Sequence, residues 1–139
     1  MNQIAILAAD FNKQIVEPMI DAVTKDAAGG DQSVGPIVRV PGCYELPLAA
    51  ELILSRESCA GLVVLGYIET GETLHGEVMG HVVHRALVDL SLTHRKPVGI
   101  GIVGPGASLA QAEARKVDYA RAALRACLAA LAVRDQLRG

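Results

Sequence analysis

The run Ala60–Glu77, AGLVVLGYIETGETLHGE, is apolar through Gly66 and turns polar a few residues later. A continuous apolar run bounded by glycines is the pattern of a parallel strand covered on both faces. Beyond it, a small Gly-Glu-Thr turn and then a histidine form the pattern of a loop leading into a helix. Three more such runs occur at Ile4–Ala9, Val34–Val40 and Pro97–Val103. Each is near-continuously apolar, with no alternation of polar and apolar residues.

Segments of helical length separate and succeed these runs. The first spans about Asn12–Ala28, with Asn12 as N-cap, Ile15, Met19, Ala22 and Val23 on one side, and Gly29-Gly30 as stop. Pro18 is expected to kink or delay it. The second runs from about Glu45 to Arg56, with Pro47 in its first turn. The third runs from His75 to His94, with Met79, Val83, Ala86, Leu87 and Leu90 on one face. The last opens with the capping-box pattern Ser108-Leu109-Ala110-Gln111 and continues to about Val133, its apolar stripe being Ala120, Leu124, Cys127 and Leu131.

The order β-α-β-α-β-α-β-α predicts one α/β domain over 1–139, a four-stranded parallel sheet between two helical layers. Ligands of such sheets bind beyond the carboxyl ends of the strands. The residues with chemistry gather there: Asp10-Phe11-Asn12, Pro41–Pro47, Glu69–His75 and Gly104-Pro105-Gly106.

The chain is 51% hydrophobic and 20% charged, which excludes a disordered chain and leaves apolar surface to be covered between subunits. A net charge of −2, with three Tyr, one Phe and no Trp, argues against nucleic acid and anionic membranes as partners. Cys43, Cys59 and Cys127 are odd in number and widely spaced, with no metal-type pair and no disulfide framework, as in a reducing cytoplasm. No signal-peptide pattern opens the chain, and no apolar run approaches the roughly 18 residues of a spanning helix.

Four groups of residues carry the chemistry. Gly71-Glu72-Thr73 precedes a helix, where free backbone N–H groups, the helix dipole and a hydroxyl favour an anion; Thr73 as a simple helix cap is the structural alternative. His75, in the first turn, is placed to move a proton near neutral pH, or is an ordinary exposed histidine. Pro41-Gly42-Cys43-Tyr44-Glu45-Leu46-Pro47 stiffens an aromatic and a carboxylate, for a planar ligand and its hydroxyls or as a rigid loop. Phe11, at a strand end, is a stacking residue or core. Glu77, His81 and His84 share a helical face opposite the core stripe, read as a polar or interface face with no metal assigned.

Together these stretches resemble lumazine synthases. The matching pieces are Phe11-Asn12, VPGCYELPLAA (Val40–Ala50), LGYIETGETLH (Leu65–His75), RALVDLSL (Arg85–Leu92), PVGIGIV (Pro97–Val103) and QAEAR (Gln111–Arg115). The resemblance implies a flavodoxin-like three-layer sandwich and a cytoplasmic transferase of riboflavin biosynthesis. Such an enzyme condenses 5-amino-6-(D-ribitylamino)uracil with 3,4-dihydroxy-2-butanone 4-phosphate, without a cofactor. It also implies a homopentamer with sites between neighbours; because the chain opens directly on its first strand, without the extra strand of icosahedral members, a pentamer or decamer is expected rather than a capsid.

Carried over by position, Phe11 stacks on the pyrimidine with Glu69 near its pocket, and Asn12, Ile68 and Ile100 are further substrate-binding positions. Tyr44 and Glu45 hold the ring edge and ribityl chain. Gly71, Glu72 and Thr73 cradle the phosphate, His75 moves protons, and Arg115 of a neighbour clamps the phosphate. The chain departs from the family pattern at Asp10, Glu69-Thr70, Gly76, Ile100, Gly104-Pro105-Gly106 and the short Lys116-Val117-Asp118 segment, which predicts one continuous last helix. These departures keep open a second reading, a relative with a changed substrate or a non-catalytic binding or assembly role. A signalling receiver lacks its acidic acceptor, since Leu65-Gly66 stand at that point.

Overall fold

The computed structural model describes residues 3–138. The elements are β1 (Gln3–Ala9), α1 (Lys13–Ala28), β2 (Ser33–Val40), α2 (Leu46–Leu54), β3 (Cys59–Glu69), α3 (His75–His94), β4 (Val98–Ala107) and α4 (Leu109–Arg138), with a short 3-10 turn at Cys43–Glu45. All strand pairs are parallel and the sheet order is β2-β1-β3-β4. That is the order of a flavodoxin-like sheet.

The apolar runs of β1 and β3 are continuous because each of these strands feeds two cores, whereas the edge strand β2, expected to be covered on both faces, has no buried residue. Ile4, Ile6 and Ala8 of β1 and Val63, Leu65 and Tyr67 of β3 face α1 and α4. Ala5, Leu7 and Ala9, with Leu62, Val64 and Ile68, face α2 and α3. Burying one such side chain contributes roughly 1.5–3 kcal/mol, so the two central strands carry much of the stability. The α4 stripe is buried as the periodicity predicts, and α4 lies so close to β4 that a Cβ on Gly99 would come within 2.0 Å of the Ala123 carbonyl oxygen.

Several boundaries move. The Ser108–Gln111 capping box forms, with the Ser108 N–H donating to Gln111 Oε1 at 2.9 Å and the Gln111 N–H to Ser108 Oγ at 3.1 Å. The helix after it is continuous over 30 residues. In contrast, Pro18 neither breaks nor delays α1, which runs unbroken from Lys13 to Ala28. Proline removes the N–H that would reach the Gln14 carbonyl, and Lys116 Nζ of α4 donates to that oxygen at 3.4 Å. Asn12 is the N-cap by backbone, yet its side chain makes no capping hydrogen bond.

Helix α2 ends at Leu54, two residues earlier than expected, where Lys96 Nζ donates to the Leu54 and Arg56 carbonyls. Strands β3 and β4 run beyond their expected ends, to Glu69 and Ala107. Glu69 is therefore a strand residue, and Gly104-Pro105-Gly106 is a bulge inside β4, since Tyr67 pairs with Val103 but Glu69 with Ala107. Bulges of this kind at a strand end re-aim the side chains beside them.

On α3, Val83 and Leu87 are buried, while Met79, Ala86 and Leu90 are partly covered. Val78, Val82, Val88 and Leu92 of α3, with Leu48 and Leu52 of α2, leave an apolar surface exposed.

Candidate active site

A cavity of about 500 Å³ opens at the carboxyl ends of β1 and β3. This size suits a small organic ligand. Phe11 rims it from the β1 end, Gly42 and Cys43 from the turn after β2, and Tyr67–Gly71 from β3 and its exit. Thr73, His75, Gly76 and Met79 close it from the start of α3.

The strand ends are pinned by one acceptor. The Tyr67 hydroxyl donates to the Ala107 carbonyl at 3.1 Å and the Thr70 hydroxyl donates to the same oxygen at 2.9 Å. Burial, then the nearby Glu69 charge, hold the Tyr67 hydroxyl above its ordinary pKa, so it stays protonated and able to donate. Helix α3 packs directly on this edge. A Cβ on Gly76 would lie 3.1 Å from the Glu69 carbonyl oxygen, and one on Gly80 would lie 2.7 Å from Pro105 Cδ. Small residues at 76 and 80 let the first turns of α3 approach the cavity.

The helix itself begins at His75, and the Thr73 hydroxyl accepts from the His75 N–H at 3.4 Å. The N-cap position is Leu74, with no side-chain capping bond, so Thr73 is not the N-cap and reaches only this first helical N–H from outside the helix. Gly71 has open space where a Cβ would stand, and no left-handed backbone requires glycine there. Burial raises the Cys43 thiol to about 11, with the Glu45 charge adding to it, so Cys43 lines the cavity as a neutral group.

Phe11, Ile68, Glu69, Gly71, Thr73 and His75 are brought together. Asn12, Tyr44, Glu45, Glu72, Ile100 and Arg115 do not line this cavity. Glu45 Oε1 accepts from the Gly42 N–H at 2.9 Å, closing its own turn. Tyr44 is half-exposed beside that turn, and Glu72 and Arg115 are exposed. Ile100 lies on the edge strand β4, in a separate groove of about 570 Å³ shared with Asp118, Tyr119 and Arg125 of α4. Two lining residues, Tyr67 and Met79, carry no site signal in the sequence. Tyr67 hides in a strand expected to end at Gly66, and Met79 sits on a stripe that reads as core.

Asp10 does not line this cavity. Its carboxylate pairs with Arg39 Nη1 of β2 at 3.1 Å, and Arg39 also grips Glu17 of α1. The Arg39 hydrogen bond holds the Glu17 carboxyl below its usual range. Glu77 and His81 stand 4.0 Å apart and are well exposed, whereas His84 Nδ1 lies 2.8 Å from the Gly80 carbonyl oxygen. No group of three metal-type side chains converges among the described residues.

Comparison with known proteins agrees with this architecture. The family model of 6,7-dimethyl-8-ribityllumazine synthase matches residues 2–135. The 6,7-dimethyl-8-ribityllumazine synthase of Metallosphaera sedula is 39% identical, over 88% of this chain and 81% of its own. That of Staphylothermus marinus is 38% identical over 91% and 84%, and that of Picrophilus torridus 38% over 92% and 93%. Near-complete coverage in both directions, a sheet in flavodoxin order and a cavity at the carboxyl edge describe one and the same kind of molecule: the chain belongs to the 6,7-dimethyl-8-ribityllumazine synthase family.

Proposed function

We propose that this protein is a transferase of riboflavin biosynthesis that condenses 5-amino-6-(D-ribitylamino)uracil with 3,4-dihydroxy-2-butanone 4-phosphate. The product is 6,7-dimethyl-8-ribityllumazine. The observation that carries the reading is the grouping of Phe11, Thr73 and His75 around one cavity in a chain of this family. The ring amine adds to the ketone carbonyl and water leaves as the imine forms. Elimination then expels phosphate, and closure by the second amine expels another water. Each stage moves protons, and His75 serves as the carrier at the cavity wall.

Phe11, exposed at the rim, stacks on the planar ring with Ile68 beside it. Gly71–Thr73 and the start of α3 receive the phosphate, since backbone N–H groups at a helix start favour anions. No lysine or arginine lines the cavity among the described residues. Arg115, exposed on α4, therefore supplies the phosphate clamp to a neighbouring subunit, with Tyr44, Glu45 and Ile100 completing sites at the same junctions. The exposed apolar faces of α2 and α3 support self-association, which the synthase reading makes a homopentamer or decamer working in the cytoplasm.

The test is to mix the purified protein with both substrates and follow lumazine absorbance. Product formation no faster than the uncatalysed reaction overturns the proposal, and lumazine binding without turnover selects the non-catalytic reading.

A further inference from the structure

Most polar side chains lining the cavity are already engaged within the chain. The Tyr67 and Thr70 hydroxyls give their only protons to the Ala107 carbonyl. Thr73 Oγ1 accepts from the His75 backbone. The Cys43 thiol is held neutral by burial. Two titratable side chains remain without a hydrogen bond or ion pair among the described residues: the His75 imidazole and the Glu69 carboxylate.

Glu69 is the more informative of the two. It is the last residue of β3, beyond the bulge that sets it against Ala107, and the only carboxylate on the cavity lining among the described residues. The first turn of α3, which carries His75, presses Gly76 against the Glu69 backbone, so the two side chains belong to adjoining pieces of wall. Of the other carboxylates nearby, Asp10 and Glu17 are committed to Arg39 and Glu45 to Gly42, while Glu72 is exposed and does not line the cavity. An ionised carboxylate accepts hydrogen bonds and donates none. Among the apolar groups Phe11, Ile68 and Met79, and with no lysine or arginine on the described lining, it favours N–H donors and disfavours anions.

We infer that Glu69 is a specificity residue that accepts hydrogen bonds from N–H groups of the heteroaromatic amine substrate, an inference that rests on the synthase reading above. It divides the cavity: the amine lies against the end of β3, and the phosphate lies away from Glu69 toward Gly71–Thr73. The carboxylate selects amines with adjacent donors over isosteres that present acceptors.

The test is steady-state kinetics of the full-length protein with E69Q and E69L, varying each substrate in turn. Because Glu69 is exposed, both variants are expected to fold, which circular dichroism and the thermal midpoint check. E69L is expected to raise KM for the ribitylaminouracil by about tenfold or more, the loss of a hydrogen bond to a charged group. E69Q, which keeps one acceptor oxygen, is expected to fall between E69L and the parent. KM for the phosphorylated ketone should stay within about twofold, since a merely structural role would move both constants together. An unchanged amine KM, or parallel changes in both KM values, overturns the inference while leaving the synthase reading intact. A parent protein that forms no lumazine overturns that reading and the inference with it.

Discussion

Lys116 of α4 supplies the hydrogen-bond donor that Pro18 of α1 withholds: its ammonium lies 3.4 Å from the Gln14 carbonyl oxygen, the acceptor that residue 18 would serve in an ordinary helix turn. The same ammonium pairs with Glu113, and its side chain is only 14% exposed. The two residues should therefore be energetically coupled. Lys116→Met is expected to destabilise the protein by about 1 kcal/mol or more. In a Pro18→Ala background, where the substituted residue brings its own N–H, the same change should cost less. A double-mutant cycle from urea unfolding measures the coupling, and strict additivity would refute it.

Gly80 and Pro105 make a second matched pair, since a Cβ at 80 has no room beside the proline ring. Gly80→Ala must push α3 away from the β4 bulge or distort one of them. A loss of about 1–3 kcal/mol is expected from such overpacking. The cost of Gly80→Ala should be smaller in a Pro105→Ala background than in the parent, as read by denaturant midpoints of the single and double variants.

His75 is exposed and contributes its backbone N–H, not its ring, to the local hydrogen bonding. His75→Ala should leave the thermal midpoint nearly unchanged. The rate of lumazine formation should fall by about 10²–10⁴, the usual contribution of a positioned acid–base group. A variant of full activity would remove His75 from the mechanism.

Burial holds the Cys127 thiol at about 11, above its ordinary 9.0. The unfolded chain releases this proton first as pH rises, so the contribution is whole below about 9 and is lost progressively toward 11. Cys43, also raised to about 11, acts in the same direction. Urea midpoints of the parent should therefore fall between about pH 8 and about pH 10.5. Cys127→Ala should lower the midpoint at both values but shrink the difference between them.

The sheet was legible because β1 and β3 are buried on both faces, a demand that leaves an unbroken apolar signature in Ile4–Ala9 and Ala60–Gly66. The α4 stripe and its Ser108–Gln111 cap were legible for the same local reason. The features that escaped depend on partners distant in sequence. Pro18 is tolerated through Lys116, nearly a hundred positions away. The extension of β3 to Glu69 depends on Ala107. Tyr67 reads as one more buried strand residue until its hydroxyl is seen at the cavity edge. Asp10, a departure from the family pattern, is explained by Arg39 across the sheet edge.

The Ala107 carbonyl, taken by two hydroxyls at once, bears on how fast and how tightly a ligand binds. Its double use immobilises the Tyr67 and Thr70 side chains and the end of β4 before any ligand arrives. Ordering a mobile side chain on association costs about 0.5–1.5 kcal/mol. That cost is met here during folding, so the wall beneath Glu69 is preorganised, and ligands meet a surface that does not have to freeze around them.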